Sequence, residues 1–265
     1  MIYRTDYHIH TLFSDGKADA RDYIEYAIKT GLDEIGFSEH LNLFVPGQHW
    51  CMDPGRAGEY IGYLKKLRRS YRGKIEIRIG LEVDFFPGKE QEIFNFLAPL
   101  DLDYIIGSVH YMGETTVDSG PDFYKGKNID ELYSSYFDLL CQAVESGLFD
   151  ILGHSDLVRI YNFSPMTCPE PLYRKLAHEM ACHDVALELN TNGRNRPLAD
   201  FYPDRRFLKI FREAGVPVCV NSDAHFPERT GQYFEEAYSL LAEAGYNEMC
   251  AFRGRERSII PAEFK

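Results

Sequence analysis

The 265-residue sequence lacks the features of a secreted, membrane-spanning or polyanion-binding protein. It contains no apolar run approaching ~18 residues and no charged-then-apolar leader, so we expect neither a membrane span nor a signal peptide. Lysine and arginine total 29 against 41 aspartates and glutamates, which gives a net charge of −12. This balance argues against broad binding to nucleic acids or anionic membranes, although it is compatible with a local basic pocket.

The six cysteines are scattered along the chain and form no CxxC pair. Zinc-finger spacing is therefore absent, and the pattern is typical of incidental or core thiols in a reducing compartment. We accordingly expect a cytoplasmic protein. The length lies within the range of one α/β barrel, and a hydrophobic content of 45% suffices for a large core. Because no Pro/Gly-rich linker divides the chain, we predict a single domain over residues 1–265.

Strand-like and helix-like runs alternate along the chain. The predicted strands are residues 3–10, 33–40, 74–83, 102–111, 150–156, 185–191 and 216–225. Helical patterns cover residues 18–30, 55–71, 88–98, 128–146, 169–183, 204–214 and 232–245. Glycine, which commonly ends a helix, follows or closes five of them: Gly31, Gly73, Gly147, Gly215 and Gly245. Seven β–α units indicate a parallel sheet, either closed into a barrel or open and doubly wound.

Six of the seven predicted strands finish on a residue type that binds metals. His8 and His10 end the first strand, and their spacing of two places both side chains on one face. One such pair is common by chance, but further candidates end five other strands: His40, Glu82, His110, His154, Asp223 and His225. Barrel enzymes place their sites at the carboxyl ends of the strands. The distribution therefore favours a closed barrel with a metal site at that end, and excludes from it His49, His178 and His183.

The chemistry of these side chains indicates which ions they would bind. Glu82 follows the apolar run "IRIGL", where an unpaired carboxylate would be costly to bury, so we expect a cation beside it. Imidazoles and carboxylates without thiolates suit zinc, manganese or iron. The candidates are too many for one tetrahedral ion and favour a cluster of two or three ions, which can convert a bridging water to hydroxide. Asp15, in "SDG", is by itself more typical of a turn.

In chain order, "HIHTLFSDG", "GFSEH", "GLEVDF", "IIGSVH", "ILGHSD" and "VNSDAH" resemble the motifs of the polymerase and histidinol phosphatase (PHP) superfamily. The resemblance extends from residue 6 to about residue 235 and implies a distorted (β/α)7 barrel with a trinuclear metal centre. It also implies three ligand sets: His8, His10, Glu82 and Asp223; Glu82, His110 and His154; and Asp15, His40 and His225. Asp15 thereby changes from a turn residue to a predicted ligand.

Three local features are most similar to the stand-alone L-histidinol-phosphate phosphatases of this superfamily: Asp15 itself, "DLVR" after His154, and "ELNTNG" in the sixth strand. The resemblance therefore implies hydrolysis of a phosphomonoester, with L-histidinol phosphate of histidine biosynthesis as the favoured substrate. A metal-bridging hydroxide would attack phosphorus, with Glu82, Asp223 and His225 as the catalytic residues. Asp223 and His225 are the two candidate proton donors to the leaving group.

Three arginines follow the strand ends and are candidates for binding the phosphate: Arg159, Arg194 and Arg196. A guanidinium offers paired donors that match phosphate oxygens, so in an acidic protein we expect these residues to form a phosphate clamp. The alternative is that they are solvated loop residues.

Two other functions remain open at this stage. The same site could act on a nucleotide or another small phosphoester, although the net charge of −12 counts against a polymeric substrate. The chain could also be a non-catalytic metal-binding module, which the complete ligand set disfavours. We expect a small-molecule partner and neither a nucleic-acid nor a membrane partner. The native metal and the oligomeric state are left open.

Overall fold

The α-helices lie where the sequence pattern predicts them. In the computed structural model, which describes residues 2–264, they are α1 (Ala20–Thr30), α2 (Ala57–Ser70), α3 (Glu90–Leu97), α4 (Ile129–Glu145), α5 (Glu170–Cys182), α6 (Leu208–Glu213) and α7 (Phe234–Ala244). The five glycines predicted at helix ends all have positive φ, which residues with a β-carbon rarely adopt. Within the described residues, no helix combines the length and apolar character needed to cross a membrane.

The strands form one large sheet and two small hairpins. They are β1 (Thr5–Asp6), β2 (Glu34–Leu41), β3 (Glu76–Asp84), β4 (Tyr104–Ser108), β5 (Tyr111–Met112), β6 (Thr115–Thr116), β7 (Ile151–Leu152), β8 (Ala186–Asn190), β9 (Val218–Asn221), β10 (Glu248–Arg253) and β11 (Glu256–Pro261). The large sheet has the order β1-β2-β3-β4-β7-β8-β9, and every pair in it is parallel. The antiparallel hairpins are β5–β6 and β10–β11.

The first and last strands of the sheet meet and close a barrel. Ile9 and Ala224 form a parallel bridge, in which the backbone N–H of His10 donates to the carbonyl of Ala224 over 3.0 Å. The N–H of Ala224 in turn donates to the carbonyl of His8, also over 3.0 Å. The predicted distorted (β/α)7 barrel is confirmed, and the open, doubly wound alternative is wrong.

Strand β1 is shorter than predicted, and His8 and His10 lie just beyond it. The reason is that a side chain interrupts the ladder: the N–H of Tyr7 donates to Oδ1 of Asn221 instead of to a neighbouring carbonyl. The Ile9 bridge nevertheless keeps the segment against the sheet. Both histidines therefore remain on the inner side of the barrel mouth.

An aromatic side chain fills the barrel interior at the opposite end. The hydroxyl oxygen of Tyr104 lies 2.6 Å from the carbonyl oxygen of Tyr7 and 2.9 Å from that of Phe37, and its single proton can be donated to either, so the ring lies across the barrel. The ring lies directly over Gly80 of β3, where a β-carbon would come within 2.4 Å of it. Only glycine leaves room for this packing without displacing the ring.

The C-terminal hairpin β10–β11, which the sequence pattern did not predict, covers that end of the barrel. Phe252 packs edge-on against Tyr7, with ring centroids 5.8 Å apart. At the hairpin turn, the N–H of Gly254 donates to Oδ1 of Asp103, the residue before β4. Arg255 pairs with Asp150, the residue before β7. The hairpin therefore covers the amino ends of the strands and leaves the carboxyl ends open.

Candidate metal centre

The carboxylate of Glu82, near the carboxyl end of β3, lies at the centre of the candidate site and is 1% exposed. Its Oε2 lies 3.2 Å from Nε2 of His8 and 3.6 Å from Nε2 of His10. The Nδ1 of His40, on the neighbouring strand β2, lies 2.5 Å from the same oxygen. One carboxylate oxygen therefore faces three imidazoles.

The second oxygen of Glu82 faces the other side of the barrel mouth. Its Oε1 lies 2.9 Å from Nε2 of His154 and 3.6 Å from Nε2 of His110. The hydroxyl of Ser108, at the end of β4, donates to it over 2.7 Å. Five imidazoles therefore surround the two oxygens of Glu82.

The two aspartates among the predicted ligands lie beside the same histidines. Oδ1 of Asp15 is 3.2 Å from Nε2 of His225 and 3.7 Å from Nε2 of His40. Oδ1 of Asp223 is 3.3 Å from Nε2 of His10 and 3.5 Å from Nδ1 of His225. Asp15 therefore lies at the site and is not merely a turn residue.

All nine predicted ligands converge, and four groups of them have one ligand atom each within 4.8 Å of one another: His10, Asp15, His40 and His225; His8, His10 and Glu82; His8, His154 and Asp223; and His40, Glu82 and His110. These groups overlap with the sets that the family resemblance implies, without being identical to them. The remaining histidines lie elsewhere. His178 contacts Cys182, and Nδ1 of His183 lies 3.0 Å from the carbonyl of Glu179.

Two carboxylates that the sequence reasoning missed hold the imidazoles in place. Oε1 of Glu188, on β8, lies 2.7 Å from Nδ1 of His8, and Oδ1 of Asp84 lies 2.7 Å from Nδ1 of His110. A carboxylate on the far nitrogen fixes which nitrogen of the ring faces a metal. Both had a signal in the sequence: Glu188 interrupts the apolar run "VALELNT", and Asp84 follows Glu82 at a spacing of two.

Asp223 is held by side-chain amides from β8 and from the turn after it. Its Oδ2 accepts from Nδ2 of Asn192 over 3.2 Å and from Nδ2 of Asn190 over 3.4 Å. Its backbone is left-handed, with φ 49°, a conformation that is unfavourable for most residues. Strain of this kind concentrates at functional sites, where the surroundings hold it in place.

Burial and neighbouring charges shift the pKa values of Glu82 and His10 in the cluster. Burial alone would raise the pKa of Glu82, but the imidazoles of His40, His8 and His110 hold it well below its usual range. Burial, reinforced by His40 and His225, lowers the pKa of His10 to about 3. His10 is therefore a neutral imidazole with a free lone pair, which is the form that binds metals.

Several buried atoms of the cluster lie close to one another without forming a hydrogen bond of good geometry among residues 2–264: Nε2 of His8, Nδ1 and Nε2 of His10, Oδ1 of Asp15, Nδ1 of His40, Oε2 of Glu82 and Nδ1 of His154. A buried polar atom without a partner is costly. Imidazole nitrogens and carboxylate oxygens are ligand atoms for zinc, manganese and iron. The residues present therefore fit a cluster of divalent transition-metal ions.

A cavity of about 340 Å³ opens above the cluster. Six of the predicted ligands form part of its lining: Asp15, His40, His110, His154, Asp223 and His225. The rest of the lining consists of Trp50, Thr116, Asp118, Ser119, Leu157, Ile160, Asn192, Arg196 and Tyr202. A larger groove of about 720 Å³ lies between α1 and α2, but none of the nine predicted ligands lines it.

The prediction that Arg159 binds phosphate requires correction. Its guanidinium does not line the cavity above the cluster. Instead Nη1 donates to Oδ2 of Asp156 over 2.9 Å, and Nη2 lies 3.5 Å from carboxylate oxygens of Asp200 and Asp204. With its side chain only 12% exposed, Arg159 neutralises buried aspartates.

The other two predicted arginines differ from each other. Arg194 also lies outside the cavity lining, since its guanidinium donates to the carbonyl of Ala199 (2.9 Å) and lies 3.4 Å from Glu236. Its assignment to phosphate binding is therefore also corrected. Arg196 lines the cavity, and its guanidinium makes no ion pair within 4.0 Å in the described part of the chain.

Known proteins resemble this chain over nearly its full length. Residues 6–192 match the family model described as the PHP domain. A probable histidinol-phosphatase of Deinococcus radiodurans is 33% identical over 261 residues, which are 95% of this chain and 97% of the relative.

Solved structures resemble it as well. The crystal structure of a Lactococcus lactis histidinol phosphate phosphatase, complexed with zinc, L-histidinol and phosphate, has a TM-score of 0.86 and 27% identity. The match covers 97% of this chain and 100% of that one. A putative histidinol phosphatase from Listeria monocytogenes shares the fold, with a TM-score of 0.79 and 23% identity over 88% of this chain and 99% of that one.

The contacts of Arg159 predict a structural role. Arg159→Met should lower the free energy of unfolding by about 3–5 kcal/mol, because it leaves the buried carboxylate of Asp156 without its cation. Urea denaturation of the purified variant would measure this. Arg206→Met is the matched control: Arg206 pairs with the same Asp204, but its side chain is 71% exposed, so the loss should stay below about 1 kcal/mol. If Arg159→Met were instead as stable as the wild type but lost most of its turnover, Arg159 would have a role in substrate binding.

Proposed function

The chain belongs to the PHP domain family, and on this premise we propose that it is a phosphoric monoester hydrolase whose substrate is L-histidinol phosphate. The observation that carries the proposal is the convergence of nine candidate metal ligands at the mouth of the barrel, with Glu82 at their centre. The similarity to the Lactococcus lactis enzyme, whose structure contains zinc, L-histidinol and phosphate, supports both the chemistry and the substrate.

We propose that the centre holds two to three zinc, manganese or iron ions. The residues that would hold them are His8, His10, Asp15, His40, Glu82, His110, His154, Asp223 and His225. When bound, such ions activate water as a nucleophile and neutralise the charge on phosphoryl oxygens. Glu188 and Asp84 would keep the ring nitrogens of His8 and His110 directed at the ions.

The chain's own residues supply orientation and a proton. Asp223 and His225 both line the cavity, so either side chain can reach the oxygen of the leaving alcohol. One of them would accept the proton that the attacking water loses and pass it to that oxygen as the P–O bond breaks. Arg196, without a carboxylate partner, would bind phosphoryl oxygens at the cavity edge. We propose these roles from position in the cavity.

The proposed substrate is tested by turnover of the purified, Mn²⁺-supplemented protein on a panel of phosphomonoesters. We expect kcat/KM for L-histidinol phosphate to exceed that for nucleoside monophosphates by roughly 100-fold, since the cavity of about 340 Å³ fits a small leaving group. It should also exceed that for simple alkyl phosphates, because these offer no polar group on the leaving alcohol for the cavity wall to contact. A preference for nucleotides would contradict the histidinol assignment. Failure to hydrolyse any ester with metal bound would identify a non-catalytic module.

The metal centre is tested by Glu82→Gln, with His178→Ala as a histidine control outside the site. Elemental analysis should find two to three transition-metal ions per wild-type chain and at least one fewer in Glu82→Gln. Activity of this variant should fall by more than the roughly 100-fold typical of losing a group that only supports a ligand. His178→Ala should match the wild type in both measurements.

Binding can also be followed without turnover. Trp50 is the only tryptophan of the chain, and its ring lies 4.8 Å from that of His40. Addition of Mn²⁺ to metal-free protein should therefore quench tryptophan fluorescence in the wild type and less so in Glu82→Gln. A variant with full metal content and an unchanged titration would show that Glu82 is not a bridging ligand.

The role of Arg196 is tested by Arg196→Met, with Arg194→Met as the control from the same turn. Loss of a charge-assisted contact to phosphate should cost about 1.5–3 kcal/mol of transition-state stabilisation, or roughly 10–150-fold in kcat/KM. The loss should be similar for every phosphomonoester, because the contact is to phosphate, and metal content should not change. Equal losses in both variants would indicate disturbance of the turn instead of a lost phosphate contact.

A further inference from the structure

The cavity wall contains one carboxylate that is not part of the metal cluster. Of the three aspartates that line the cavity, Asp15 and Asp223 face the clustered imidazoles, whereas Asp118 lies in the loop after β6. Within residues 2–264, the carboxylate of Asp118 makes no ion pair within 4.0 Å. A negative charge is therefore available at the cavity wall.

The backbone around Asp118 is held in place relative to the metal centre. The N–H of Val117 donates over 2.8 Å to the carbonyl of His110, a predicted ligand. Val117 is fully buried, and its own carbonyl accepts from the hydroxyl of Tyr124 over 2.9 Å. The hydroxyl of Tyr161 donates to the carbonyl of Asp118 over 2.7 Å. Three hydrogen bonds thus fix the backbone that carries this carboxylate at the cavity wall.

The charges of the cavity wall indicate what kind of ester fits. Arg196 and the proposed ions provide positive charge that attracts the phosphoryl group. The carboxylate of Asp118 would repel the negatively charged phosphoryl group. A ligand that uses both charges must therefore carry a cation on its leaving group. A primary amine is protonated at neutral pH and matches a single carboxylate.

We propose that Asp118 binds the ammonium group of the leaving alcohol and so selects phosphomonoesters that carry an amine. The inference rests on the proposed phosphomonoesterase activity and assigns a substrate-selecting residue within the same site. Asp118 lies outside the predicted ligand set and is not needed to hold the ions. Its carboxylate contacts the leaving alcohol of the substrate and not the phosphoryl group.

The test compares two esters that differ only in the amine: L-histidinol phosphate and its deaminated analogue, 3-(imidazol-4-yl)propyl phosphate. The measured quantity is the ratio of their kcat/KM values, in which effects on the metal centre or on folding cancel. The wild type should favour the amino ester by about tenfold or more, as expected for a charge-assisted contact at a partly exposed site. In Asp118→Asn the ratio should fall close to one.

Glu114→Gln is the matched control, because Glu114 is an exposed acid in the turn between β5 and β6 and does not line the cavity. It removes the same charge from the hairpin that precedes the Asp118 loop and should keep the wild-type ratio. An unchanged ratio in Asp118→Asn, or an equal fall in Glu114→Gln, would overturn the assignment. A wild type that hydrolyses both esters equally well would also overturn it, while leaving the phosphomonoesterase proposal intact. Absence of turnover of either ester would contradict that proposal itself.

Discussion

The buried carboxylate of Glu82 is the constraint on which the open end of the barrel depends. It is surrounded by five imidazoles that come from four separate segments of the chain, and its own strand contributes none of them. An isolated carboxylate at 1% exposure would be strongly unfavourable, so these positive or metal-binding partners are needed for its burial. Carboxylates behind the imidazoles extend the network to β8 and to the end of β3.

Different types of side chain line the two ends of the barrel. At the amino ends of the strands, aromatic packing around Tyr104 and the hairpin residue Phe252 excludes water. At the carboxyl ends, imidazoles and carboxylates line a cavity open to ligands. Residues that stabilise the barrel thus lie at one end and residues suited to chemistry at the other, as is general for barrel enzymes. The scaffold therefore keeps the ligand-bearing segments in place, and residues of the loops above them form part of the cavity wall.

Position in the sequence predicted the role of the arginines poorly. Arg159 and Arg196 both follow strand ends, yet one is enclosed by three aspartates and the other faces the cavity without a carboxylate partner. An acidic chain offers many carboxylates, and a guanidinium pairs with whichever of them the fold brings near. Two of the partners of Arg159, Asp200 and Asp204, lie more than 40 residues further along the chain. Such pairings follow from the fold and not from local sequence.

The sequence by itself determined the helices, the barrel and eight of the nine residues of the candidate metal centre, and the family resemblance added Asp15. Periodicity and helix-ending glycines are local signals, and the convergence of strand ends follows from parallel topology, so ligand types at six strand ends suffice to predict a cluster. The tertiary structure decided the rest. Glu188 supports His8 across 180 residues, the hairpin β10–β11 covers the amino ends of the barrel strands, and Asp118 reaches the cavity through a loop tied to His110. These depend on contacts between residues far apart in the chain, and no local pattern encodes which distant partner a side chain will meet.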